Sequence, residues 1–194
     1  MIMKKIMFND KYGLTQAVLE GRKTMTRRVV STKLLDSIKQ YAHGSENELC
    51  YRLRANATYN VGDIVAIAQP YKDIYLNSGS IYKIGLLGRT AGWRNKMYVS
   101  ADDMPHHIKI TNIRVERLQD ISDEDCLREG VYEKKLEYTP SGYNPNRTYY
   151  TFDGVDYCFN DARDAFAALI DKVSGKGTWE SNQLVWVYEF ELVD

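Results

Sequence analysis

The run before the C-terminus constrains this chain most. From Leu184 to Leu192 every second side chain is large and apolar: Leu184, Trp186, Tyr188, Phe190 and Leu192. Val185, Val187, Glu189 and Glu191 take the alternate positions. A strand turns successive side chains to opposite sides, so this run predicts a β-strand with one fully buried face. A second long strand is predicted from His107 to Leu118. Its alternation slips by one residue after Asn112, so that Ile113 and Val115 share the second face, and such a slip marks a bulge.

Helical segments connect these strands. Asn9 or Asp10 caps a helix that runs to Glu20, with Gly21 as its stop. Residues 31–42 carry an amphipathic pattern through Leu34, Leu35 and Ile38. Ser122 opens a short helix, with Asp125 placed to complete a capping box and Gly130 at its end. Asp161 to Val173 turns Phe166, Leu169, Ile170 and Val173 inward. Thr148–Phe152 and Val155–Phe159 flank Asp153-Gly154, a pair suited to a tight hairpin turn. Strands at both ends and in the middle, with helices between, predict a single α+β domain over 1–194 built around a mixed barrel. Insertions are expected near 71–103 and 131–160.

The 26 basic and 26 acidic side chains cancel, so the whole molecule has no bulk attraction for a polyanion. Attraction has to come from local patches, and residues 1–30 hold the compact basic one (Lys4, Lys5, Lys11, Arg22, Lys23, Arg27 and Arg28). The three cysteines, Cys50, Cys126 and Cys158, form no CxxC pair, which argues against a disulfide framework or zinc site and fits a cytoplasmic location. No apolar run approaches the roughly 20 residues that span a bilayer, so no membrane is expected as partner. His106 and His107 are adjacent and point apart in extended backbone; no spacing suggests a metal, and no cofactor is implied.

Three segments together resemble the ASCH family. They are Leu19-Glu-Gly-Arg-Lys-Thr-Met-Thr-Arg-Arg28, Tyr59-Asn-Val-Gly-Asp63, and Ile113-Arg-Val-Glu-Arg-Leu-Gln-Asp-Ile-Ser-Asp-Glu-Asp-Cys-Leu-Arg-Glu-Gly130. The last is similar to the strand and helix of phage-type members. The resemblance implies a PUA-like β-barrel with a cleft over its central strands, and RNA or a modified nucleoside as partner. A shorter bacterial member is an amidohydrolase of N4-acetylcytidine, and its proposed catalytic set falls here on Lys23, Thr26 and Glu129. The chain departs from the pattern at Ala68-Gln69-Pro70-Tyr71, where an amide replaces a carboxylate.

The chemistry of these residues can be read directly. A threonine hydroxyl attacks a carbonyl only when a base takes its proton, and a lysine serves as base when burial or nearby cations lower its pKa. Arg22, Arg27 and Arg28 supply cations; Arg28 or backbone N–H groups would hold the oxyanion. In a regular strand, however, Lys23 and Thr26 face opposite sides, and Thr24 is the alternative hydroxyl. Glu129 falls at a helix end where a negative charge is disfavoured, which suits an acid or a partner for a base edge. Arg22, Thr24, Arg27, Arg28 and Trp93, the last beside Arg94 and Lys96, are the candidate nucleic-acid contacts. The basic cluster and the resemblance together predict an RNA- or nucleotide-binding domain with a basic cleft. The alternatives are a nucleoside amidohydrolase at the same cleft, or a phage-type module that binds protein through the tyrosine-rich segment 132–158.

Overall fold

The computed structural model describes residues 3–42, 45–78, 81–135 and 147–193. Along these the order is β1 (Lys4–Ile6), α1 (Leu14–Leu19), β2 (Met25–Val29), α2 (Thr32–Lys39), α3 (Glu46–Ala55), β3 (Ile64–Ile67), α4 (Tyr71–Ser78), α5 (Ile81–Leu87), β4 (His107–Arg117), α6 (Asp123–Arg128), β5 (Tyr132–Lys134), β6 (Tyr149–Thr151), α7 (Ala162–Ser174) and β7 (Leu184–Leu192). The fold is α+β. Five strands form a mixed sheet in the order β1-β3-β4-β7-β2, with β1 parallel to β3 and the other pairs antiparallel.

β7 occupies its predicted span, and the predicted bulge in β4 falls between Ile110 and Asn112. The single buried face of β7 needs correction. Val185 and Val187 are as buried as Trp186 and Tyr188, because the core packs on both sides of the sheet; the strand reaches solvent only towards Glu191 and Leu192. The barrel is not closed by strand pairing among the described residues. β1 and β2 are the two edges of the sheet, and Arg28 Nη2 reaches across to donate 2.5 Å to the carbonyl of Met7, just past β1.

The predicted tight hairpin at 148–159 is also corrected. The turn at Asp153-Gly154 forms, but Tyr150 bridges to Phe159 and β6 takes β5 as its strand partner. Tertiary packing decides this. Phe152 is fully buried edge-on against Tyr12, and a Cβ at Gly154 would stand 2.6 Å from the carbonyl of Lys11, so the turn docks on the chain ahead of α1. The segment 43–60 had no clear pattern, yet α3 forms there with Ser45 Oγ accepting from the N–H of Glu48. The 71–103 insertion consists of α4, α5 and short 3₁₀ turns. Of the tyrosine-rich segment, Tyr138 and Tyr143 lie outside the described residues. Tyr149 is buried, and Tyr132 donates to Asp153, so these two serve packing. Among the described residues no helix is long and apolar enough to cross a membrane.

Candidate functional site

The site grows from the end of α1. Gly21 takes a φ of +71° that a side chain would strain, which stops the helix and turns the chain inward. Lys23 follows, its N–H donating to the Ala17 carbonyl and its side chain almost fully buried. β2 then pairs with β7 so that Arg27 lies beside Val187 and Thr26 beside Tyr188. Arg114 of β4 flanks Val187 from the other side. Arg27 and Arg114 therefore share one face of the sheet, while Thr26 and Arg28 share the other.

On the Arg27 face sits α6. Ser122 Oγ caps it by accepting from the N–H of Asp125, and Ile121 and Cys126 are both fully buried, as a hydrophobic staple requires. Burial pushes the Cys126 thiol up to about 12, consistent with a core residue rather than a nucleophile. The reciprocal half of the capping box is replaced. The Asp125 carboxylate accepts from Arg27 at 2.9 Å and from Arg114, so a residue assigned no chemistry from sequence is a member of the charged network.

Glu129 closes α6, and its charge is matched. Lys23 Nζ donates 2.7 Å to Glu129 Oε2 and 2.7 Å to the Glu129 carbonyl, while Arg27 Nη1 donates 3.1 Å to Glu129 Oε1. Arg27 also holds Glu116 at 2.6 Å. Arg114 binds Glu116 and Glu189, and Arg128 binds Glu189 at 3.0 Å. Four cations (Lys23, Arg27, Arg114, Arg128) thus meet four carboxylates (Glu116, Asp125, Glu129, Glu189), and the assembly is neutral. Arg27 borders the neighbouring cleft, but its side chain is buried and its guanidinium is shared among Glu116, Asp125 and Glu129.

Alongside this network runs a cleft of about 390 Å³. Phe8, Lys23, Thr26, Arg28 and Glu129 line it, with Phe166 and Ile170 of α7 as the apolar wall. Because β2 is an edge strand, side chains from both of its faces reach the cleft. Lys23 also precedes the strand, so the opposite-face objection to Lys23 and Thr26 does not apply. The Thr26 hydroxyl has no hydrogen-bond partner among the described residues. Arg28 has no carboxylate partner among them; it contacts the Met7 carbonyl and lies 5.8 Å from the Phe8 ring centre.

Burial pulls the Lys23 pKa below its ordinary value, outweighing the opposite pull of Glu129, and Arg28 and Arg27 lower it further. For Arg27, burial works against the charge, but Glu129 and Glu116 hold the guanidinium pKa above its usual value.

Three predicted contacts lie elsewhere. Thr24 accepts from Arg128 Nε at 3.2 Å and does not line the cleft. Arg22 is half exposed, paired with Glu20 at 2.6 Å and set over the Tyr132 ring. Trp93 sits in a 3₁₀ turn of the insertion and lines neither this cleft nor the larger second one. Sequence reading missed Arg114, Glu116 and Glu189. Their signal was charge at inward positions of two central strands, where burial demands a partner. Among the described residues no group of His, Cys, Asp or Glu is arranged to hold a metal.

No family model matches the chain, and no curated protein matches it. One solved structure aligns along all of it: a protein from Enterococcus faecalis assigned to the family DUF984, with 14% identity, 82% of that chain covered and a TM-score of 0.44.

Proposed function

We propose that the chain is a PUA-like domain of ASCH type whose cleft binds an acylated nucleoside and hydrolyses its amide. One observation carries this reading. A buried lysine with a lowered pKa, held by Glu129, shares a cleft with a threonine hydroxyl that has no hydrogen-bond partner among the described residues. In its neutral form the Lys23 amine has two N–H donors, both matched by Glu129, and one lone pair left to take a proton.

The reaction then runs in two halves. Thr26 Oγ1 attacks the amide carbonyl carbon as its proton passes to Lys23 Nζ. Arg28 stabilises the oxyanion. Collapse breaks the C–N bond, and Lys23 returns the proton to the departing amine, leaving an ester on Thr26. Water, deprotonated by Lys23, attacks that ester carbon; the C–O bond to Thr26 breaks, Lys23 returns the proton to Thr26 Oγ1, and the acid is freed. Glu129 positions Lys23 and balances its charge while it is an ammonium. A nucleoside rather than a long RNA fits better, because the paired cations leave little attraction for a polyanion and Arg28 answers for one phosphate.

The test is incubation with N4-acetylcytidine while following free cytidine and acetate. Turnover that disappears in Thr26→Val and Lys23→Met supports the assignment. Saturable binding without turnover leaves a nucleoside-binding domain, the second reading, which Arg28 favours because it has no carboxylate partner among the described residues. No binding in either assay overturns both.

A further inference from the structure

A second cleft, of about 600 Å³, lies on the far side of α1, between that helix, α4 and the chain at Pro105-His106. Its walls are apolar at Leu19, Ile74 and Pro105, with Tyr75 contributing an aromatic ring. One polar group in it is unusual. Gln69 Oε1 is buried and has no hydrogen-bond partner, and among the described residues no other buried side-chain oxygen or nitrogen shares that condition. The Nε2 end of the same amide has no partner among the described residues either.

Burying an amide without a partner costs free energy that a ligand can recover by supplying the missing groups. A carboxamide offers an acceptor and donors side by side in one plane, so its complement is a planar edge with a donor next to an acceptor. As placed, the oxygen is shielded from the cleft, so the amide must turn about its last side-chain bonds to present acceptor and donor together, and a half-turn reverses their order along the edge. Asp73 adds a carboxylate that is unpaired among the described residues, whereas Asp10, in the same cleft, is taken up by Lys96 at 2.7 Å. The extra acceptor favours an N–H-rich edge. Apolar walls and a tyrosine ring favour a flat ring over a flexible chain.

We propose that this cleft is a second ligand site, in which the Gln69 carboxamide pairs with the edge of an amino-substituted heterocycle of the adenine type. The pairing is the bidentate one by which glutamine and asparagine read adenine, and it needs no charge on either partner. The site is separate from the Lys23 cleft and does not depend on hydrolysis there.

The experiment follows the Gln69 side-chain NH₂ resonance of the ¹⁵N-labelled full chain during titration with adenosine. A saturable shift is expected. N6,N6-dimethyladenosine, which lacks the amino donors, should leave the resonance in place. Gln69→Leu should weaken adenosine binding by about tenfold or more, the worth of one or two hydrogen bonds. Lys23→Met should bind adenosine as the parent does. An unmoved Gln69 resonance overturns the proposal, as does an equal response to the dimethylated probe. A shift lost in Lys23→Met would place the ligand in the first cleft and overturn it as well.

Discussion

The two clefts that flank α1 treat buried polarity in opposite ways. In the Lys23 cleft the charges are matched cation to carboxylate, and chemistry is left to one free hydroxyl and one cation at the wall. In the Gln69 cleft the polar group is neutral and unmatched. A matched network holds a structure together. An unmatched buried group leaves a desolvation cost that the fold does not recover. The contrast separates Arg27 from Arg28, neighbours in sequence: one is sealed among three carboxylates, the other meets a lone backbone carbonyl.

The comparison can be broken most forcefully at its centre. Removing Lys23 as base should lower any amide hydrolysis by about 10²–10⁴-fold, and Lys23→Met followed by product release tests it. Thr26→Val should abolish turnover through an acyl-enzyme while leaving the denaturation midpoint close to that of the parent; a large loss of stability instead would make Thr26 a packing residue. Arg27→Leu should destabilise the fold by about 3–5 kcal/mol in urea unfolding, because Glu116, Asp125 and Glu129 would lose a shared cation in a buried setting. A change below about 1 kcal/mol would show that solvent reaches the network, as in a surface pair.

The pH dependence sharpens the same point. Burial lowers the Lys23 pKa in the folded chain relative to the ordinary 10.5. The unfolded chain therefore binds more protons between those two values, so stability rises with pH across that window and falls as pH drops through the folded pKa. Unfolding measured against pH should show this slope in the parent and not in Lys23→Met. Hydrolysis should rise on a limb whose midpoint lies below 10.5, since the base acts as neutral amine. The smallest effect belongs to the second cleft. Gln69→Leu replaces an unpaired amide by an apolar group of similar size and should change stability by no more than about 1 kcal/mol in either direction. A loss much larger than that would mean the amide has a structural partner.

Local physics made part of this molecule legible. β7, the bulge in β4, the Ser122 cap and the inward stripe of α7 depend on periodicity and capping among near neighbours, and these appear where the sequence places them. The family resemblance grouped Lys23, Thr26 and Glu129, and the structure sets all three along one cleft. The tight hairpin at 153–154 misled because Phe152 gains more from the core than from a regular strand pairing. Trp93 lines neither cleft, because an aromatic beside basic residues carries no local signal of where the tertiary fold will place it.

What the sequence determined by itself was the α+β pattern of strands and helices, since side-chain alternation and capping act over a few residues. The fate of the charges was decided by tertiary structure alone. Lys23 meets Glu129 across 106 positions and Arg27 meets Glu116 across 89, and the register of β2, β7 and β4 brings those partners to one face of the sheet. Whether a cation is sealed or left open to a ligand depends on that register, because burial and distance, which set the strength of a charge interaction, exist only in the folded chain.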